Sequence, residues 1–377
     1  MKQQIKKILI IGGGIGGLSA AIALRKNGLS VTVCESSSSN SLKGAGILQP
    51  QNSFKVLKEL GIYEECLNKG FQLNSLKIFD KHGMVISEIS ETFMDENLPG
   101  RNAIWRSELS EILVAKAQSL GVHIEWNKTL KSYTEREYGV NVTFEDKSTL
   151  TCDILIGFDG IRSKVRDIML GRKIHPQFLG MGAWRFPIEF PKSKSFNETL
   201  MLHNGSTKIG IVPLSESAGY AFILKPVKID YWDDKMTRYE RVMNIVDQFK
   251  GASILIKEGL SKDSPIIFNL VEEVVLEENW YSNRVVIGGD AAHASAPNLA
   301  QGAAMAIEDA MVLAEEINNH DYFYIAFQSY FKRRYYRAQK IQKLSSELVR
   351  KELLREEGSE EIIKACHSFL NTQISDM

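Results

Sequence analysis

The sequence predicts an α/β protein: a Rossmann-type nucleotide-binding domain interleaved with a sheet-rich second domain and closed by a long C-terminal helix. Three observations carry this. A strand, a glycine-rich turn and a helix open the chain between residues 7 and 27. A strand-rich stretch over 179–226 is broken at Pro187, Pro191, Gly205 and Pro213. An apolar strand, Arg284–Ile287, then precedes two helical patterns, the second from about Tyr322 to Glu356.

Bulk properties narrow the class. At 377 residues, two domains are expected, and 44% apolar residues with 24% charge suit a large buried core. Lys plus Arg equals Asp plus Glu at 46 each, so neither a general nucleic-acid binder nor a membrane-surface protein is expected. The basic start MKQQIKKILIIGGG leads into an apolar run too short for a signal peptide, and no segment approaches the roughly 20 apolar residues of a membrane span. Cys34, Cys66, Cys152 and Cys366 are scattered without a C-x-x-C pair. No disulfide and no metal site is expected, and a reducing cytoplasm fits.

The elements follow in order. Lys7–Ile11 is a strand; Ile15–Asn27 is a helix with Ile15, Leu18, Ala21 and Ile22 at helical spacing and Gly28 as its terminator; Ser30–Cys34 is the second strand. A helix capped by Asn52 runs through Val56 and Leu57 to Leu60-Gly61. Leu73–Asp80 and Met84–Ser90 form a hairpin about Lys81-His82-Gly83. Ser107–Leu120 is helical. Val122–Trp126, Leu130–Thr134, Gly139–Phe144 and Thr149–Phe158 are strands. Thr237–Phe249 and Gly302–Ile317 are further helices. The expected division is 1–72, 100–178 and 278–320 for the nucleotide domain, 73–99 and 179–277 for the second domain, and 321–377 for the helical end.

Gly12-Gly13-Gly14-Ile15-Gly16-Gly17 satisfies G-x-G-x-x-G between a strand and a helix. Gly12 permits the tight turn, Gly14 lets the backbone approach a pyrophosphate, and Gly17 allows close helix–sheet packing. The helix start at Ile15-Gly16 offers free N–H groups to phosphates. Glu35, 18 residues past Gly17, ends the second strand where a carboxylate holds a ribose hydroxyl pair, with Ser36 beside it. These features alone fit NAD and FAD equally.

Two later segments, CDILIGFDGIRSKVR (Cys152–Arg166) and RVVIGGDAAHASAPNLAQGAAMAIED (Arg284–Asp309), together with GAGI at Gly44–Ile47, Arg106 in WRSEL, Trp184-Arg185 and the basic YFKRRYYRAQK, run in a diagnostic order. In these the chain resembles the single-component FAD-dependent aromatic hydroxylases, including p-hydroxybenzoate, salicylate and urate hydroxylases and the tetracycline-inactivating monooxygenases. The resemblance covers nearly the whole chain and implies a p-hydroxybenzoate hydroxylase-like fold. It implies that Asp290 meets the FAD ribityl chain, that Pro297 lies beside the flavin ring, and that Gly302, Ala303 and Ala304 open a helix toward it. It further implies cofactor contacts from Gly46, Arg106, Asp159 and Gly160. NADH or NADPH would dock transiently, since no second glycine fingerprint follows a strand. O2 would be activated as a C4a-hydroperoxyflavin and one oxygen transferred to an aromatic or polycyclic substrate, in a monomer or homodimer.

The inserted sheet supplies the expected pocket: Trp184 as an aromatic wall, Arg185 for a carboxylate or phenolate, and His203, Lys208, Tyr220 and Phe222, with Gln49 and Pro297 from the flavin side. Arg185, Tyr220, His203 and Pro297 are the catalytic candidates. His293 is expected to be structural, and Lys332–Arg337 a solvated face. Two departures stand out. Lys208 occupies the place of an arginine in the urate-type branch, and a lysine lacks the bidentate fork. In Gln49-Pro50-Gln51-Asn52 the proline is shifted by one. A FAD-dependent reductase or oxidase of the same fold, and a non-catalytic binding protein, remain alternatives.

Overall fold

The computed structural model describes residues 7–38, 45–92, 94–191 and 196–372. Four consecutive isoleucine and leucine residues, Ile8–Ile11, suit a strand covered on both faces, and all four are buried. They lie at the centre of a five-stranded sheet in the order Val285–Ile287, Ile154–Gly157, Ile8–Ile11, Val31–Cys34, His123–Glu125, with every pair parallel. Helix Ile15–Lys26 packs against Gly302–Asn319 and Arg106–Ser119. Gly28, at φ +82°, follows its end as expected.

Thr149–Phe158 is not one strand. Thr149–Cys152 pairs with Gly139–Phe144 in a three-stranded antiparallel sheet, and Ile154–Gly157 pairs with Ile8–Ile11. The chain changes sheets at Asp153, where its N–H donates to the Lys7 carbonyl. Helix Gln51–Leu60 starts after Pro50, not at a cap made by Asn52. Asn52 instead lies inside the helix and donates to Gln301 and Glu308, which outcompete its own backbone for the amide.

The inserted domain is a seven-stranded sheet in the order Ile267–Glu273, Gln177–Glu189, Ala218–Pro226, Thr207–Pro213, Glu198–Asn204, Ser75–Asp80, Val85–Ser90. Side chains alternate between its faces. One face, with Trp184, Phe186, Ile188, Ile209 and Ile223, packs on helices Arg238–Val246 and Ile254–Gly259. The other face carries Arg185, Tyr220, Phe222 and Lys208, and joins the nucleotide domain. There Tyr220, Val212 and Leu214 share an apolar cluster with Leu48, Ala103 and Ala300.

Helix Phe323–Leu354 runs from the nucleotide domain to this sheet, and Ser359–Thr372 packs back on it. The expectation of a solvated Lys332–Arg337 face is corrected. Arg334 and Arg337 are buried because Glu308 and Asp309 of the neighbouring helix face them. Arg334 Nε donates to Asp309 Oδ1 at 2.6 Å and its Nη1 to Glu308 Oε2 at 2.8 Å; Arg337 Nε reaches Glu308 Oε2 at 2.7 Å. Burial pushes both carboxyls up, but His293 and Arg334 hold Asp309 far below its ordinary range, and Arg334 and Arg337 hold Glu308 below it as well. His293 is buried with its Nε2 2.5 Å from Asp309 Oδ2, the structural role expected of it.

Arg334→Met leaves two buried carboxylates with one guanidinium. It should cost about 3–5 kcal/mol, read as a lower urea midpoint with unchanged slope.

Candidate functional site

The fingerprint turn is built as its glycines require. Gly12 sits at φ +104° with a notional Cβ on the Phe158 carbonyl, and a Cβ on Gly17 would strike the Gly12 carbonyl oxygen. Gly14 differs: nothing lies within 4 Å of its notional Cβ, and it precedes a 12-residue helix whose start, Ile15-Gly16, has no side-chain cap. That open, N–H-rich mouth fits a diphosphate. Glu35 lies beside it, accepting from Gly13 N at 2.7 Å, Ser37 N at 2.7 Å and Ser36 Oγ at 3.1 Å. Burial raises its carboxyl, but these bonds and that from Ser37 Oγ hold it below its ordinary value, so it stays an acceptor.

Further along the crevice, Asp290 is exposed and its side chain accepts no hydrogen bond from any described residue; desolvation raises its carboxyl against the pull of His293 and Arg106. The exposed Arg106 likewise has no side-chain partner among the described residues. Helix Gly302–Asn319 begins without a side-chain cap; Gly302 and Ala303 are half-buried and Ala304 is buried. Ahead of it, Pro297 opens a short turn, Pro297–Leu299, that ends at Ala300 in the left-handed region, φ 54°. An unbonded carboxylate, an unbonded guanidinium and two open helix starts in one crevice suit a dinucleotide that supplies hydroxyls and negative charge.

Asp159 is otherwise occupied. Its carboxylate takes Ser163 Oγ at 2.5 Å, Lys164 N at 2.7 Å and Val165 N at 3.0 Å, holding the turn that Gly160, at φ +81°, makes possible. Gly46 is required by packing, since its notional Cβ would enter the Tyr220 ring. Gly44 of the same loop lies outside the described residues.

Strand alternation separates the pocket candidates. Trp184 is corrected: it points to the opposite face from Arg185, is 1% exposed, stacks near Phe268 and donates Nε1 to Asp233 at 3.0 Å. Adjacent strand residues cannot line one pocket. Gln49 is corrected for the same reason. Gly46 and Leu48 face Tyr220, so Gln49 turns away and accepts from Asn102 at 2.7 Å. Lys208 is on the crevice face, but Glu352 of the long helix neutralises it at 2.5 Å, and Glu352 also accepts from Asn298 at 2.7 Å. His203 lies three strands from Arg185, in a cavity of about 190 Å³ with Lys208 and Glu352. Burial and Lys208 lower its imidazole to about 4, so it is neutral at physiological pH and no cationic acid. Arg185, Tyr220 and Phe222 do come together. Arg185 and Phe222 are register partners, and the Tyr220 and Phe222 rings lie 6.3 Å apart. Burial pushes the Tyr220 phenol up to about 12 despite Arg185, so it is a proton donor, not a phenolate.

Residues the sequence reading missed are those that position the site. Asp309 accepts from Gly289 N at 2.8 Å, and buried Arg166 donates to the Ala291 carbonyl at 3.3 Å; together they fix the turn bearing Asp290. The spacing of Arg334 and Arg337, one helical turn apart, was the available signal.

Three comparisons bear on the chain. The family described as "FAD binding domain" matches residues 6–320. YetM of Bacillus subtilis (strain 168), provisionally named a FAD-dependent monooxygenase, is 52% identical over 97% of this chain and 99% of its own. A FAD-dependent urate hydroxylase of Mycolicibacterium vanbaalenii is 28% identical over 83% of this chain and 80% of its own. The structure of Klebsiella pneumoniae HpxO with FAD and uric acid superposes with a TM-score of 0.83 at 21% identity, over 99% of this chain and 94% of that one.

Gly14→Ala adds a methyl only to open space, so the apoprotein should unfold at the wild-type midpoint while FAD affinity, titrated by flavin absorbance, falls at least about tenfold. Gly17→Ala should instead destabilise the apoprotein itself by about 1–3 kcal/mol. For His203 the folded value, about 4, lies below the ordinary 6.5. Its contribution is full above 6.5 and is lost as pH falls toward 4. Thermal melts across that window should therefore show an acid limb that His203→Asn reduces; His367, lowered to about 3 by burial and Arg101, and the lowered carboxyls of Glu35, Glu308 and Asp309 also contribute.

Proposed function

The chain belongs to the FAD binding domain family and is a FAD-dependent monooxygenase, and from that premise we propose that it uses NADH or NADPH and O2 to hydroxylate an aromatic or polycyclic small molecule. The observation that carries this is the meeting of Arg185, Tyr220 and Phe222 with the Ala300 loop and the open start of helix Gly302–Asn319 across one crevice. When bound, FAD supplies the redox chemistry: it accepts two electrons from the nicotinamide and activates O2 for transfer of one oxygen atom.

The protein's own residues do the rest. Gly14 and the Ile15–Lys26 helix start would hold the diphosphate, Glu35 the adenosine ribose, Arg106 and Asp290 the middle of the cofactor. The N–H groups at Gly302, Ala303 and Ala304 would stabilise negative charge at their mouth without reorganising, because the helix behind them is held by buried ion pairs. Val212, Leu214 and Phe222 exclude water from the substrate side. The protonated Tyr220 hydroxyl and Arg185 orient the aromatic ring, and Pro297 shapes the rim beside it. Relatives act on urate, 6-hydroxynicotinate and other rings, according to their names, and Lys208, paired to Glu352, sets this crevice apart from a site that offers a second free cation. Four buried unpaired thiols suit a reducing cytoplasm.

The test is ligand-stimulated NAD(P)H oxidation by the purified yellow protein under ¹⁸O₂. A substrate should raise the rate at least about tenfold and leave one labelled oxygen in the product. Hydrogen peroxide with no labelled product from any aromatic ligand would count against hydroxylation and for an oxidase.

A further inference from the structure

We propose that the protein carries a second ligand site, for a phosphate or phosphate monoester, where the far side of the inserted sheet meets the end of helix Phe323–Leu354. The site stands apart from the crevice, since His203 in its wall lies three strands from Arg185. It does not depend on which reaction the crevice performs.

The site is the cavity of about 190 Å³ between the turn at Gly205-Ser206 and the C-terminal helices, with Lys208, Lys351 and Arg355 in its wall. Both carboxylates of that wall are already matched. Glu352 takes Lys208 at 2.5 Å and Asn298 at 2.7 Å. Glu356 pairs at 2.9 Å with Arg350, which is not in the cavity wall, and feels Lys351 more weakly. Glu360, just beyond, is turned to Ser87 and Lys364. Lys351 and Arg355 therefore have no carboxylate of their own among the described residues. Lys351 reaches only the Glu357 carbonyl, at 2.6 Å, and Arg355 Nε only Ser206 Oγ, at 3.4 Å. The half-buried His203 ring and the Ser359 hydroxyl make no hydrogen bond to any described residue, and burial with Lys208 keeps His203 neutral.

The backbone is shaped around Arg355. It ends the long helix in the left-handed region, φ 59°, where glycine is the usual choice. Opposite it, Gly205 has φ +58°, and a Cβ there would lie 3.2 Å from the guanidinium. A glycine at 355 would relieve the helix end, so strain is kept for a side chain that no protein carboxylate holds. The helix end does not use up the cations either. The Leu353 carbonyl accepts from Ser206 Oγ at 2.9 Å, and the Lys351 carbonyl accepts the Glu356 N–H at 2.9 Å. A phosphate group fits what is left over. The Arg355 fork can take two of its oxygens, Lys351 adds a point charge, and Ser359 and the His203 imidazole supply directional bonds. Because Glu352 also holds Asn298, the ligand would lie against an ion pair that reaches both the sheet and the loop after Pro297.

The test uses the FAD-loaded protein at one fixed ionic strength in chloride buffer. Inorganic phosphate and glycerol 1-phosphate are titrated by calorimetry, and vesicles containing phosphatidic acid are tested by co-sedimentation. At least one of the three should bind. The double variant Lys351→Gln/Arg355→Gln, with wild-type flavin content and melting midpoint, should bind it at least about tenfold more weakly. Binding of the soluble ligands identifies a free phosphate, and binding to vesicles alone identifies a lipid headgroup. Arg355→Lys keeps the charge without the fork and should bind with intermediate affinity, which decides the matter if the double variant does not fold. No binding of any of the three to wild type, or an affinity unchanged in the variants, would overturn the proposal. Binding is read without turnover, so hydroxylation and this site stand or fall separately.

Discussion

The molecule hangs on a buried ionic knot. Glu308 and Asp309 on one helix face Arg334 and Arg337 on the next, and the two carboxylates also accept hydrogen bonds from neighbouring segments. Asp309 holds the Gly289 amide and His293, and so sets the turn that carries Asp290. Glu308 holds Asn52, and so sets the helix that follows the strand packed against Tyr220. Asn52 in turn reaches Gln301, the residue before the open helix start. A pure hydrophobic contact between these helices would be at least as stable. It would not fix three separate wall segments to one point, and that registry is what the charges add.

The architecture was legible because its signals are periodic and local. Consecutive apolar residues at Ile8–Ile11, glycines at Gly12–Gly17 and a 3.6-residue pattern through the last third each report on their own neighbourhood. The positions of Gly14, Glu35, Asp290 and Gly302, proposed to cradle the dinucleotide, follow from the same local signals, since turns and strand ends in their own segments place them. The sheet face proposed to meet the substrate could not be read in this way. Trp184 and Arg185 are neighbours in sequence, yet the pleat sends them to opposite faces, and only the partner strand says which face is which. Gln49 was lost to the same alternation. Lys208 was expected to line the pocket, and the sequence held no sign of Glu352, 144 positions away, which neutralises it. The basic run near Arg334 was read as solvated because its partners lie on a helix that precedes it by a loop, and charge composition carries no information about pairing.

The long helix Phe323–Leu354 does two jobs at its two ends. Its first half presents Arg334 and Arg337 to the nucleotide domain. Its last turn presents Glu352 to Lys208 of the inserted sheet and to Asn298 of the loop after Pro297. At roughly 1.5 Å per residue, the 32 residues span about 48 Å, enough to brace both units with one rigid element. The relative position of the sheet face carrying Lys208 and the loop carrying Asn298 is therefore set by a third element that belongs to neither.

Glu352 also bears on how such proteins can diversify. The seven-stranded sheet is built from two separate stretches of the chain, 75–90 and 177–273. A transplanted sheet that brought an arginine or an apolar residue in place of Lys208 would arrive at a helix end still carrying an acid fitted to a lysine. An exchange at Lys208 is thus felt at the far C-terminal turn, although almost 150 residues of chain separate them.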